Sequence, residues 1–339
     1  MSVNTRIRMI ITIIICLLLV GLCIGLGSVS ISVRDAAAVI MSRIRGAEVS
    51  DTVDPSVVAI FWTIRMPRVL TSFMTGGALA LSGVIMQAVL QNPLASSYTL
   101  GVSSGSSLGA ALVIVSEITV PWLGNLLLPS AGFVFGLATV FIVLALASCF
   151  GDGMHTNTII LIGMVVSLFV NALLTLVSAF ADAHAQQLIL WQMGSFSGKR
   201  WMHVQILSVV CIVCLVLIMR RFRELDIMSF GDESATVMGV DVGRSKRVLL
   251  ILAALITGVS VCFSGTIGFV DLIAPHVVRR MFGSPHRRLL PMSFVIGGSF
   301  MAVCDMISRT LLAPREIPVG AVTAIIGAPF FVWLYLRRR

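Results

Sequence analysis

The chain has 339 residues, of which 58% are hydrophobic and 12% charged, with a mean hydropathy of +1.03. So few charges cannot cover a soluble surface, which excludes a water-soluble globular protein and implies an all-α integral membrane protein. The net charge of +9 sits mostly in Arg and Lys clusters at the ends of apolar runs. That is the spacing of topology signals, not of a face that tracks nucleic-acid phosphates.

At roughly 20 apolar residues per crossing, about ten transmembrane helices fit into one domain over 1–339. Apolar runs predict spans over 9–28, 66–90, 98–118, 126–150, 157–181, 202–219, 248–265, 267–283, 290–312 and 318–336. No charge falls between Met9 and Val33, a run longer than the ~7–15 residues of a signal-peptide core, so the first span is read as retained. At the start of the second, Arg65 and Arg68 flank Pro67. Proline suits a first helical turn, but two cations there oppose the positive end of the helix dipole. They should want an external anion or, by snorkelling, lipid phosphate.

The third span carries Gly101, Gly105 and Gly109 at four-residue spacing among Ser103, Ser104, Ser106 and Ser107. Small residues at that period let helices approach closely; a polar pathway wall is the other reading. The run Gly194 to Arg200 (G-S-F-S-G-K-R) is one residue short of a phosphate-binding loop and lacks the hydroxyl after Lys199. Cys211 and Cys214 form a C-x-x-C inside an apolar run, with no second pair to make a metal site. Between the sixth and seventh spans, 221–247 is the longest loop on its side. Within it Ser229-x-x-Asp232 resembles a capping box that starts a short helix through Glu233, Ala235, Val237 and Met238, ending at Gly239. Asp271 lies one turn into the eighth span and is a candidate for the pathway or its mouth, since an intramembrane carboxylate is functional by default; pairing with a neighbouring helix near the outer surface is the equal alternative. Asp305 and Arg309 stand i,i+4 in the ninth, where an intrahelical ion pair accounts for them. The run R-E-I-P-V-G (315–320) opens the last.

Placing the N-terminus in the cytoplasm puts 15 of the 24 Lys and Arg inside, so both termini are expected there. One spaced pattern occurs twice, 182 positions apart: T-G-x5-S-G-x-I-x7-P, from Thr75 to Pro93 and again from Thr257 to Pro275. The copies begin five spans apart, on the second and the seventh. Five is odd, so helices 2–5 and 7–10 form an inverted repeat of the kind that builds two-sided transport pathways. No nucleophile–base set, H-E-x-x-H or nucleotide loop is present. The chain is therefore read as no enzyme, with no cofactor, catalytic residue or metal site, and its energy must come from an ion gradient or a partner.

Several ordered stretches carry a family resemblance: R-M-P-R-V-L (65–70), S-G-V-I-M-Q-A-V-L-Q-N-P-L-A (82–95), L-G-V-S-S-G (100–105), S-G-T-I-G-F-V-D-L-I-A-P-H (264–276), H-R-R-L-L-P (286–291) and L-L-A-P-R-E-I-P-V-G-A-V-T-A-I-I-G-A-P-F-F (311–331). The chain resembles the FecCD-like permease subunits of bacterial ABC importers for iron-siderophores, haem and cobalamin, the type II importers. The resemblance implies ten helices per subunit, a plasma-membrane dimer with a second copy or a paralogue, and a pathway between the two. It also implies ATPase subunits docked inside and a substrate-binding protein docked outside. Arg65, Arg68 and Arg309 match the family's docking arginines. Gly231, Asp232, Glu233, Ser234, Ala235, Met238 and Gly239 fall in its coupling segment. Asp271 departs from the family, which has glycine there. The expected function is the permease of an ATP-driven importer of an iron chelate, haem or related metallo-complex. A gradient-driven transporter using Asp271 or Asp182 is the alternative.

Overall fold

The computed structural model describes residues 3–27, 32–45, 54–121, 123–149, 155–181 and 184–336, and among these every regular element is helical. A segment surrounded by hydrocarbon must satisfy its backbone N–H and C=O groups internally, which a helix does. The elements are α1 (Val3–Gly25), α2 (Val33–Arg45), α3 (Pro55–Ala59), α4 (Met66–Val89), α5 (Val102–Ser116), α6 (Leu127–Cys149), α7 (Thr156–Ala179), α8 (Ala185–Met193), α9 (Trp201–Met219), α10 (Phe222–Met228), α11 (Asp232–Val237), α12 (Val242–Ser264), α13 (Val270–Phe282), α14 (His286–Thr310) and α15 (Val319–Leu336). Each of the ten predicted spans falls on a helix. Seven described helices are long and apolar enough to cross a membrane, whereas α5 and α15 are shorter apolar helices and α13 has only 13 residues. Asp182 and Arg337 to Arg339 lie outside the described residues.

The second span begins earlier than its sequence suggests. Asp54 caps α3 by accepting from the Ser56 N–H at 2.8 Å, and the helix runs on through a π-turn (Ile60–Arg65) into α4. Pro67 supplies no N–H and its ring crowds the carbonyl one turn back, a conflict that a locally widened turn relieves. The positive end of the helix dipole is therefore at Asp54. The expectation that Arg65 and Arg68 face it is corrected.

At the centre of the bundle α4 and α12 pack antiparallel. Met74 shares an apolar cluster with Val259 and Phe263, while further along α4 the Ser82 hydroxyl accepts from Thr257 Oγ1 at 2.8 Å and donates to the Ala253 carbonyl at 3.3 Å. The two copies of the repeated pattern thus touch, pointing opposite ways. They also differ. α4 passes through Gly83 unbroken, whereas α12 stops at Ser264 because Gly265 takes φ +76°, ψ −171°, a region open essentially to glycine. After the break the chain turns through Phe269 at φ +72°, and α13 starts inside the bundle. That is why the eighth span is short.

Close backbone approach fixes these crossings. A Cβ on Gly83 would lie 1.9 Å from the Asp271 carbonyl oxygen, and one on Gly265 would lie 2.2 Å from that of Trp191. Gly105 and Gly109 likewise meet the backbone of α6 at Phe135 and Ala131, so the small-residue stripe of α5 is a packing seam. By contrast α1, α7 and α9 turn broad apolar faces outward, including Leu18, Leu168, Phe169 and Ile212, as lipid-facing helices do.

Candidate functional site

Arg68 is the centre of an ion cluster at the end of the bundle where α4 begins. Its Nε and Nη2 donate to Asp305 at 3.0 and 2.9 Å, and its Nη1 and Nη2 donate to Glu316 at 2.6 and 3.1 Å. Asp305 is fully buried while the Glu316 side chain is 39% exposed, so one edge of the guanidinium is locked inside and the other opens outward. The planar fork of arginine suits two carboxylates at once. Arg309 reaches Asp305 only at 3.7 Å and donates to the Cys23 carbonyl at the end of α1. Asp305 is thus chiefly the partner of Arg68, not of its i,i+4 neighbour. Arg65 donates to the Gly25 carbonyl at 2.8 Å. All three arginines foreseen for docking come together here, but Arg65 and Arg309 are turned onto the end of α1.

Asp271 is buried, with 2% of its surface exposed. It stands in the first turn of α13, where the helix dipole favours a carboxylate. Ser96, in the connection after α4, donates to its carboxylate, and Gln87 Nε2 donates to its backbone carbonyl at 3.1 Å. Tyr98 ties the same connection to the broken segment, donating to the Ile267 carbonyl at 2.7 Å and accepting from its N–H at 3.1 Å. The Asp271 carboxylate thus ties the start of α13 to the connection after α4, and its backbone carbonyl ties it to α4.

The opposite end carries α10 and α11. Gly231, at φ +109°, precedes α11, and Gly239, at φ +84°, follows it. Ser229 does not cap α11 as the sequence suggested. Its hydroxyl donates back to the Asp226 carbonyl at 2.6 Å, which closes α10 instead. Several polar contacts bind this segment to the core. Asp226 accepts from the His286 N–H at 2.8 Å and bonds its Nδ1 at 2.7 Å, and Glu224 accepts from Ser245 Oγ at 2.6 Å. Asp232 pairs with Lys246 at 2.5 Å and accepts from Gln91 at 3.0 Å. Lys246 is fully buried and also donates to Thr156 at 3.0 Å. Ala235 packs inward, whereas Glu233, Ser234 and Met238 are exposed with Phe230 (75%) and Val237 (89%). The result is a rigidly held knob with an apolar, acidic tip.

The model of the FecCD transport family matches residues 13–337. The chain belongs to that family. It is similar to the hemin transport system permease HmuU of Yersinia pestis (36% identical; 83% of this chain, 84% of that one). It is also similar to the cobalamin import system permease BtuC of Halobacterium salinarum (38%; 83% and 74%) and to the Fe(3+) dicitrate permease FecD of Escherichia coli (35%; 81% and 84%). A solved structure described as the inward-facing conformation of a metal-chelate type ABC transporter superposes with a TM-score of 0.81 at 28% identity, covering 98% of both chains. The permease is accordingly a multi-pass transport subunit rather than an enzyme, and membership implies ATPase and substrate-binding-protein partners.

Sequence reasoning missed Glu316, Lys246, Asp226 and Ser96. Glu316 lay inside a recognised motif but had no assigned partner, because Arg68 is 248 positions away. Lys246 read as one of a cluster of topology charges, and only the fold shows it buried against Asp232.

Proposed function

We propose that this permease moves an iron chelate, haem or a related metallo-complex inward across a bacterial plasma membrane, by alternating access driven by ATPase subunits. It pairs with a second copy or a paralogue, and the pathway runs between them. The ATPases dock on the α10–α11 knob, which makes that face cytoplasmic along with both termini. The binding protein docks on the Arg68 face. The observation that carries this reading is the knob itself: a segment pinned to α12, α14 and the end of α4 whose exposed tip is apolar and acidic. Such a segment can pass a partner's movement to the core instead of absorbing it. The names of the relatives, which cover hemin, ferric dicitrate and cobalamin, support the substrate class. A gradient-driven mechanism has less support, since Asp271 is only 2% exposed and bonded to Ser96. The test is uptake of labelled haem, ferric siderophore and cobalamin into proteoliposomes holding the permease with its ATPase. Uptake should stop when the ATPase carries a substituted phosphate-loop lysine; uptake that continues sinks the proposal.

A further inference from the structure

Beside Arg68 a cavity of about 510 Å³ opens between α4, the segment 197–202 and Glu316. Its charged lining consists of Arg68, Lys199, Arg200 and Glu316. Arg68 is already committed to Asp305 on its buried edge, so the cavity keeps a net positive charge. Lys199 and Arg200 end the G-S-F-S-G-K-R run that resembled a phosphate loop. Its first half is structural: Phe196 is fully buried, the Ser195 N–H donates to the Ser264 carbonyl at 2.8 Å, and the Val319 N–H donates to the Gly194 carbonyl at 3.2 Å. Gly198, at φ +69°, then turns the chain outward. The two cations are therefore presented from a turn fixed to the broken-helix core. Lys199 makes no hydrogen bond or ion pair among the described residues. Burial pushes its ammonium pKa down to about 8, with the nearby Arg68 charge adding to the shift and Cys262 opposing it. A carboxylate arriving from outside would reverse that penalty.

We infer that this cavity, with Lys199 and Arg200 on its rim, is where the permease receives an acidic side chain of the substrate-binding protein, and that Glu316 is the in-chain carboxylate this side chain displaces from Arg68. The inference rests on the docking reading above and adds to it two residues and a competitor. Glu316 has the right properties for a stand-in: it is bidentate on Arg68, half-exposed, and on the short connection before α15. Asp305 cannot be displaced in this way, because it is sealed behind the guanidinium.

The experiment measures the affinity of the binding protein that co-purifies with the permease–ATPase complex from its native membrane, using the complex in nanodiscs at two salt concentrations. Lys199→Gln should weaken binding about tenfold with a shallower salt dependence. Glu316→Gln should tighten it about threefold, because the competitor for Arg68 is gone. Arg68→Gln should weaken it most, and the tightening by Glu316→Gln should vanish in the Arg68→Gln background. If Arg68→Gln weakens binding but Lys199→Gln and Glu316→Gln leave it unchanged, the inference fails while the docking reading stands. If Arg68→Gln and Lys199→Gln in a complex that remains monodisperse both leave affinity unchanged, docking on this face fails altogether. Weaker binding in Glu316→Gln also overturns the inference.

Discussion

Arg68 has two carboxylate partners that differ in depth, and so they should differ in worth. Removing the charge from the fully buried partner leaves the inner edge of the guanidinium without its counter-charge in a poorly solvated place, at a cost of about 3–5 kcal/mol. Asp305→Asn should therefore lower unfolding stability in detergent by that amount. Glu316→Gln, at a half-exposed pair, should cost no more than about 1 kcal/mol. Equal effects in the two variants would mean that the cluster does not have the inside and outside described above. Asp271 is a second single-residue case. Its carboxylate accepts from Ser96 at the N-terminus of α13, so Asp271→Ala should destabilise by about 1.5–3 kcal/mol, the range for hydrogen bonds to charged groups. Asp271→Asn should leave uptake within about twofold and its pH profile unchanged. A profile that shifts with this substitution would restore a proton-carrying role.

The two copies of the repeated pattern carry the same glycine and use it differently. On α4, Gly83 lets a continuous helix touch the Asp271 carbonyl; on α12, Gly265 ends the helix. Gly83→Ala should cost about 1–3 kcal/mol through overpacking. Gly265→Ala should cost as much or more, because it adds about 1–3 kcal/mol of backbone strain to a clash with the Trp191 carbonyl. Gly21→Ala, where no atom lies within 4 Å of the new methyl, should stay within about 0.5 kcal/mol. Thermal melting of the three variants in one detergent checks the order. The repeat was legible from residue spacing, since its six matched positions need no partner to be noticed. The break was not, because a glycine within an apolar run reads alike whether it serves packing or a turn. For the same reason α8 and the π-turn before Met66 went unforeseen: one is short and apolar, and the other answers a clash visible only along a built helix.

For the whole molecule, the two ends of the bundle are joined by α4, which begins beside Arg68 and ends beside Gln91 and the α10–α11 knob. Exposed Phe230, Val237 and Met238 touch little of their own chain, so Val237→Asp with Met238→Asp should change melting by less than about 0.5 kcal/mol. The pair should nevertheless abolish co-purification of the ATPase and uptake together. Retained co-purification would move ATPase docking elsewhere. Composition, apolar run length and charge placement sufficed to determine a membrane-spanning, all-helical chain of about ten spans with an internal duplication, because those properties follow from residue-by-residue transfer to lipid and need no knowledge of contacts. The motifs sufficed for its family. Which arginine is shared between two carboxylates, which lysine is buried, where the eighth span begins and how the knob is pinned were decided only by tertiary structure. Each depends on pairs that the sequence separates widely, such as Arg68 with Glu316 and Ser96 with Asp271. Their energies exist only once packing has removed the water between them.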